Sequence, residues 1–443
     1  MGSISVPGTK ITIFWFRRDL RIEDNHGLYQ ALLEQEIILP LFIFDTEILK
    51  NLDNKYDTRV NFIYQSLIKL KNRFERTGSS LLIMAGSPLQ VFEQLIKRFN
   101  ILAVYANHDY EPYSISRDKN FKELLIKNNI LFKTYKDQVI FEKDEVISNN
   151  KEAYRIFTPY AKKWRSLLYN VIDDNYRSEK LTGKLIKSIS LDLPLLKEFG
   201  FEKTYYPYPD TWVDDDVIRH YCETRDYPYI QGTTRIGVHL RYGTISVREL
   251  VRKAFALSEI FLNELIWREY FMMILWNFPH VITDSFKPAF DTFEWINEPD
   301  KYEAWCSGNT GYPIIDAGMR ELNDTGFMHN RIRMITASFL TRYLFIDWRF
   351  GEAYFASKLL DYELSSNNGN WQWAAGSGCD ASSYYKIFNP ETQTMKYDPA
   401  KKYISKWVPE SGTDKYPAPV VDYSFARNRY LSYMKNKFPG NKQ

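Results

Sequence analysis

The segment Asn367–Gly376, NNGNWQWAAG, sets two indoles, Trp371 and Trp373, among side-chain amides and two glycines. Indoles stack on planar ligands and bases, and amides offer donors and acceptors to a ring edge. Just upstream, LLDYELSS carries Asp361 and Glu363, a carboxylate pair of the kind used in acid–base catalysis, yet no nucleophile or metal set accompanies it. Anchoring Arg333, or accepting hydrogen bonds from a ligand, is the alternative for that pair. In NELIWREYF, Glu264, Trp267 and Arg268 fall at i, i+3 and i+4 on one helical face. Taken alone, those three read more plainly as a surface ion pair beside a half-buried indole. In GFMHNRIRM, Asn330, Arg333 and Met334 share a side from which Arg331 points away. A guanidinium one turn from an amide suits phosphate or a planar heteroaromatic, and plain helix surface fits equally. Thr233 and Thr234 in YIQGTTRIGVHL stand ahead of a helical run, where hydroxyls and free N–H groups hold phosphate or a threonine caps the helix. Cys379 in GSGCDAS has no neighbouring histidine and reads as a packing residue.

Two kinds of element have to position these clusters. From residue 11 to about residue 140, short apolar runs (ITIFWF, IILPLFIF, SLLIM, ILAVYA, ILFKTY) alternate with amphipathic stretches such as TRVNFIYQSLIKLKNRFE. That rhythm predicts a parallel sheet with crossover helices. RRDLRIEDNHGL stands where GxGxxG would follow the first strand, so the usual dinucleotide fingerprint is missing. A turn-rich stretch reads as a connection, and from Trp212 onward helical periodicity dominates. The expected domains are an α/β domain over 1–140, a linker over 141–211 and an all-α domain over 212–443.

Composition sets the class. The chain has 443 residues, 44% hydrophobic and 26% charged, with a net charge of +3 that decides nothing about a polyanionic partner. Its 11 Trp, 32 Tyr and 29 Phe exceed what cores usually need, leaving rings to stack on ligands or bases. Three dispersed cysteines point to a reduced, cytoplasmic setting, six single histidines show no metal spacing, and no segment has the length of a membrane span.

NELIWREYF, GYPIIDAGMRELNDTGFMHNRIRMITASFL, IDWRFGEAYF and NNGNWQWAAGSGCDASSYYKIFNP resemble the signature segments of the photolyase/cryptochrome family, most closely its class I cyclobutane pyrimidine dimer photolyases. FWFRRDLRIEDNHGL is similar to the family's opening. The likeness spans nearly the whole chain and is dense from Tyr221 to Pro390.

The resemblance implies an antenna-type α/β domain and a helical domain holding bent FAD. Its cofactor contacts carry over to Tyr221, Thr233, Thr234, Arg235, Ile236, Gly237, Glu264, Arg268, Asn330, Arg333, Asp361, Glu363 and Asn367. Asn367 matches the asparagine facing flavin N5, where an amide favours the reduced ring. Trp371, Trp348 and Trp295 match the inner, middle and outer members of an electron-relaying tryptophan chain. Trp267 and Trp373 match the walls against which a flipped dimer stacks, with Met334 and Glu264 completing that pocket and Glu264 stabilising charge on the dimer. Arg225, Arg331 and Lys386 would meet phosphates of damaged DNA. Gly237 stands where serine is frequent, Lys386 where arginine is common and Glu363 where aspartate is often found, and each places a contact in question.

The implied activity is light-driven repair: reduced, anionic FAD donates an electron to a cyclobutane pyrimidine dimer, the ring opens and the electron returns. A second, antenna chromophore (folate, deazaflavin or flavin) is open, with VYANHDYEPYSISRD and FIFDTEIL lining the expected region. Asn330 and Met334 disfavour a (6-4) photolyase, Trp373 disfavours a DASH-type cryptochrome, and the short segment after ISKWVPE disfavours a signalling cryptochrome. The protein is expected to act as a monomer, without membrane or metal.

Overall fold

The computed structural model describes residues 9–187, 191–380, 383, 385 and 387–438. These form two compact units: one of residues 1–142, 164–212 and 235–256, the other of residues 143–163, 213–234 and 257–443.

The first unit is built on a five-stranded, wholly parallel sheet of order β3-β2-β1-β4-β5, as the alternating sequence predicts. Its strands are β1 (Lys10–Phe16), β2 (Ile38–Asp45), β3 (Leu82–Gly86), β4 (Asn100–Asn107) and β5 (Leu131–Tyr135). Every residue of β2 is buried, because a central parallel strand is covered on both faces. Pro40 pairs with Phe14 of β1, one residue before the pairing of β2 with β3 begins at Leu41. Its missing N–H therefore removes no bond to β3. The two-residue period of β1 sorts its side chains: Phe14 and Phe16 pack with Leu28, Leu67 and Phe74 on one face, while Ile13 and Trp15 pack with Phe92 and Phe121 on the other. Helices α1 (His26–Glu34) and α2 (Thr58–Arg76) thus cover the first face, and α3 (Pro88–Arg98) and α4 (Pro112–Lys127) the second. Leu185, Leu196 and Phe201, from the turn-rich stretch, are buried in the same core as Phe14.

The second unit is helical. Its site-bearing helices are α5 (Glu259–Asn277), α6 (Pro299–Ser307), α7 (Pro313–Thr325), α8 (Asn330–Ser338), α9 (Trp348–Lys358) and α10 (Leu364–Ala375). Sequence signals set their ends. Ser258 caps α5 through the N–H of Phe261 and Asp347 caps α9 through that of Arg349. Prolines open α6 and α7, and left-handed Gly308, Gly326 and Gly376 stop α6, α7 and α10. Most of α5 is buried, its apolar run Tyr270–Leu275 continuously so, while Glu264, Trp267 and Arg268 line the larger hollow. The run HNRIRMITASFLTRYLF, one helical segment by periodicity, divides into α8 and a π-helical turn, Phe339–Tyr343. That turn carries the buried Arg342, whose Nη2 donates to the carbonyl of Ala374 (2.7 Å) at the C-terminus of α10. Among the described residues, no helix is long and apolar enough to cross a membrane.

Candidate flavin and lesion site

Close helix approach shapes the centre of the second unit. A Cβ on Gly351 of α9 would lie 2.2 Å from Cη2 of Trp371, and one on Gly369 of α10 would lie 2.2 Å from the ring of Phe271 on α5. Both positions therefore need glycine, and α10 is wedged between α5 and α9 with Trp371 fixed against Gly351. The glycine in NNGNWQW is thus a packing requirement.

Two hollows open along α10. The smaller, about 100 Å³, is lined by Asn367, Trp371, Arg333, Asp361 and Glu363 among others. The larger, about 460 Å³, is lined by Tyr221, Thr233, Arg225, Glu264, Trp267 and Arg268 among others. Asn330, Met334, Ser366, Asn370 and Trp373 line both, so the two spaces adjoin. The structure therefore brings the sequence clusters from α5, α8 and α10 to one place.

The polar contacts are specific. Asn367 is buried, and its Nδ2 donates to the Glu352 carbonyl (3.1 Å) and to Glu352 Oε1 (2.8 Å). Its Oδ1 has no partner among the described residues and is the atom left for a ligand in the hollow. Burial pushes the Glu352 carboxyl above its ordinary range, opposed by the Asn367 hydrogen bond. Arg333 Nη2 donates to both Asp361 oxygens (3.1 and 3.0 Å), so the carboxylate anchors the arginine. Arg268 pairs with Glu363 at 3.7 Å.

Several expectations need correction. Glu264 does not pair with Arg268. It accepts from Arg225 Nη1 at 2.6 Å, because a partner from the segment before α5 is closer than the helical neighbour. Burial raises the Glu264 carboxyl, and the Arg225 charge only partly offsets this. Arg331 does not point away from Asn330 and Met334. It lines the larger hollow, with Nη2 on Asp226 Oδ1 (2.6 Å), because Asp226 draws it to that side. Thr234 caps no helix: the next one is Gly237–Tyr242, and Ile236 holds its N-cap position without a side-chain bond. Thr233 lines the larger hollow; Arg235, Ile236 and Gly237 are counted with the first unit. Lys386 lies outside the described residues.

Cys379 is a satisfied buried thiol, bonded to the Arg155 carbonyl (2.8 Å) and to Tyr270 Oη (3.1 Å), with burial pushing its pKa up to about 11. Trp371 and Trp348 are buried and Trp295 is half-buried. The Trp371 ring meets Phe355 at 4.9 Å and Trp305 at 6.0 Å. Sequence reasoning missed Glu352, Asp226 and Trp305. Their roles come from tertiary proximity, and no local spacing carries it.

In the first unit, the strand-end region where the sequence leaves a second chromophore open is dense with polar pairs. Tyr113 Oη donates to Asp45 Oδ2 (2.6 Å), Arg17 Nη1 to both Asp118 oxygens (2.7 Å), and the Arg17 and Arg117 guanidiniums lie about 5 Å from the Trp15 ring. The strand order reverses between β1 and β4 there, the usual ligand crevice of such sheets.

A helical pocket with an indole wall, a buried amide and paired guanidiniums and carboxylates has the groups suited to a planar, phosphate-bearing heterocycle. Comparison with known proteins agrees. Residues 12–177 match the family described as DNA photolyase, and residues 261–413 match the FAD binding domain of DNA photolyase. The deoxyribodipyrimidine photo-lyase of Halobacterium salinarum is 32% identical, over 94% of this chain and 97% of its own length. A bacterial class III photolyase from Agrobacterium tumefaciens superposes with a TM-score of 0.84 at 28% identity, covering 98% of this chain and 99% of that one. An archaeal photolyase from Sulfolobus tokodaii, solved with two FAD molecules, superposes at 0.79 with 33% identity, covering 96% and 100%. The chain belongs to the photolyase/cryptochrome family.

Proposed function

We propose that this chain is a light-driven DNA-repair lyase, a deoxyribodipyrimidine photo-lyase of the class I type, that binds FAD and splits cyclobutane pyrimidine dimers in damaged DNA. One observation carries the reading. Trp373, Met334 and Asn330 line both hollows, so a lesion against Trp267 and Trp373 adjoins a ring held at Asn367.

Bound in reduced form, FAD supplies the electron that opens the cyclobutane ring and takes it back afterwards. The protein's residues do the rest. Asn367, held by its Nδ2 bonds to Glu352, would offer Oδ1 as an acceptor to the N5–H of a reduced flavin. Arg268 with Glu363, and Arg333 with Asp361, form a charged rim for the polar arms of the cofactor. Trp267 and Trp373 stack the extruded dimer and displace water. Glu264, its carboxyl raised by burial and bonded to Arg225, lines the larger hollow and is placed to hydrogen-bond the lesion and offset charge arriving on it. Trp371, Trp348 and Trp295 provide a path for re-reducing the cofactor. Arg225 and Arg331 already carry carboxylate partners, so phosphates compete with Glu264 and Asp226 for them. The three cysteines are free thiols, which fits a reducing, cytoplasmic setting.

A class III placement, favoured by the Agrobacterium superposition, is the second reading of the branch. The test is light-dependent repair of an oligonucleotide with one thymine dimer, beside a (6-4) lesion and a dark control. Monomer formation from the dimer in light alone is expected. Repair of the (6-4) lesion instead would move the chain to that branch, and flavin uptake with repair of neither would favour a cryptochrome-type photoreceptor.

A further inference from the structure

Trp267 is held from behind. The Phe157 ring lies face to face on its indole, with centroids 3.6 Å apart and planes 5° from parallel. Trp267 lines the larger hollow beside Phe271, whose ring leans on the indole at 5.5 Å and 30°, whereas Phe157 does not line it, which puts the phenyl on the side of the indole away from that space. Aromatic pairs left to themselves prefer offset or edge-on geometry over a near sandwich, so something else holds this one.

The backbone around Phe157 supplies the hold. Its N–H donates to Asp380 Oδ2 at 3.1 Å, and two residues earlier the Arg155 carbonyl accepts from Cys379 Sγ at 2.8 Å. Cys379 also bonds Tyr270 Oη (3.1 Å), and the buried Tyr270 ring stands edge-on to Phe157 (5.8 Å, 81°) and to Trp267 (5.5 Å, 85°). Segment 155–157 is thus tied to the turn following α10, the helix that carries Trp373, the opposite wall. Phe157, Tyr270 and the Cys379–Asp380 turn close a ring of contacts around the back and edge of Trp267.

We infer that Phe157 is a positioning residue for lesion recognition: it pins the Trp267 indole so that one face alone is presented to the extruded dimer. This rests on the stacking role proposed for Trp267. A pinned indole loses little side-chain freedom on binding, whereas an unsupported one would be ordered at the moment of association. Phe157 lines neither hollow, so its action runs through Trp267.

The test measures dark affinity of the flavin-loaded protein for dimer-containing and undamaged oligonucleotides. Phe157→Leu keeps apolar volume but removes the flat face, and Phe157→Tyr keeps the face. For Phe157→Leu, discrimination between the two DNAs should fall about three- to tenfold, with flavin content and affinity for undamaged DNA unchanged. Phe157→Tyr should keep wild-type discrimination. In a Trp267→Ala background, Phe157→Leu should cause no further loss. Wild-type discrimination in Phe157→Leu, or additive loss in the double variant, overturns the inference even where Trp267→Ala alone abolishes discrimination. Unchanged discrimination in Trp267→Ala would instead remove the stacking reading itself. If the leucine variant loses its flavin or its cooperative unfolding, Phe157 is a fold residue and the inference also falls.

Discussion

At Asn367 the amide is divided between two duties: Nδ2 is spent on Glu352 and Oδ1 is left facing the hollow. Replacing it with aspartate puts a negative charge where an anionic reduced ring would sit, so Asn367→Asp should lower the flavin midpoint potential. A redox titration should show a fall of at least about 30 mV, a tenfold shift for a two-electron couple. Glu352 makes a separate prediction. Its carboxyl is raised above its ordinary 4.5 by burial, so its contribution to stability is complete below that pH and is lost as pH rises through the folded value. Glu352→Gln should flatten this pH dependence in urea unfolding measured from pH 4 upward, and should gain stability relative to wild type toward alkaline pH. Helical spacing sets Glu264, Trp267 and Arg268 on one face and Asn330, Arg333 and Met334 on another, and both sets line the hollows, whereas Asn367 is singled out by the family resemblance and not by spacing. Glu352 is not legible, since its helix neighbours say nothing of an amide on α10. Nor is the Arg225–Glu264 pair, which the sequence replaces with a nearer-looking partner, Arg268.

Among elements, the parallel sheet was the easiest to read, because buried strands write themselves as continuous apolar runs separated by amphipathic helices. The helix α5 follows from the helical run FLNELIWREYFMMIL and its Ser258 cap, whereas α10 does not, because its N-cap Glu363 makes no side-chain bond and NNGNWQW carries no helical stripe. The π turn Phe339–Tyr343, which carries the Arg342 bond to the Ala374 carbonyl, does not follow either, because the run reads as one uninterrupted helix by periodicity. Helix contact yields a direct test. Gly351→Ala must push a methyl into Trp371 and into Leu340 Cδ2, which lies 2.5 Å from the ideal Cβ. It should cost about 1–3 kcal/mol and weaken flavin retention. Gly183, with open space around its Cβ position, is the control. Equal melting temperatures for the two alanine variants would show that α9 and α10 approach less closely than described.

For the whole molecule, the account requires that photoreduction and repair use different residues. Trp371→Phe should block light-driven reduction of oxidised flavin yet leave repair intact once the flavin is reduced chemically, as transient absorption and product analysis would show. Trp267→Ala should do the reverse. Flavin content should hold while affinity for dimer-containing DNA falls on the order of tenfold to a hundredfold, the worth of base–aromatic stacking. The most direct measurement of the central claim is a crystal structure of the FAD-loaded protein bound to DNA carrying one thymine dimer. The account predicts flavin in the adjoining hollows with its N5 edge at Asn367 Oδ1 and the dimer between Trp267 and Trp373. Flavin bound elsewhere, or a dimer that stays in the duplex with both indoles uncovered, would contradict it.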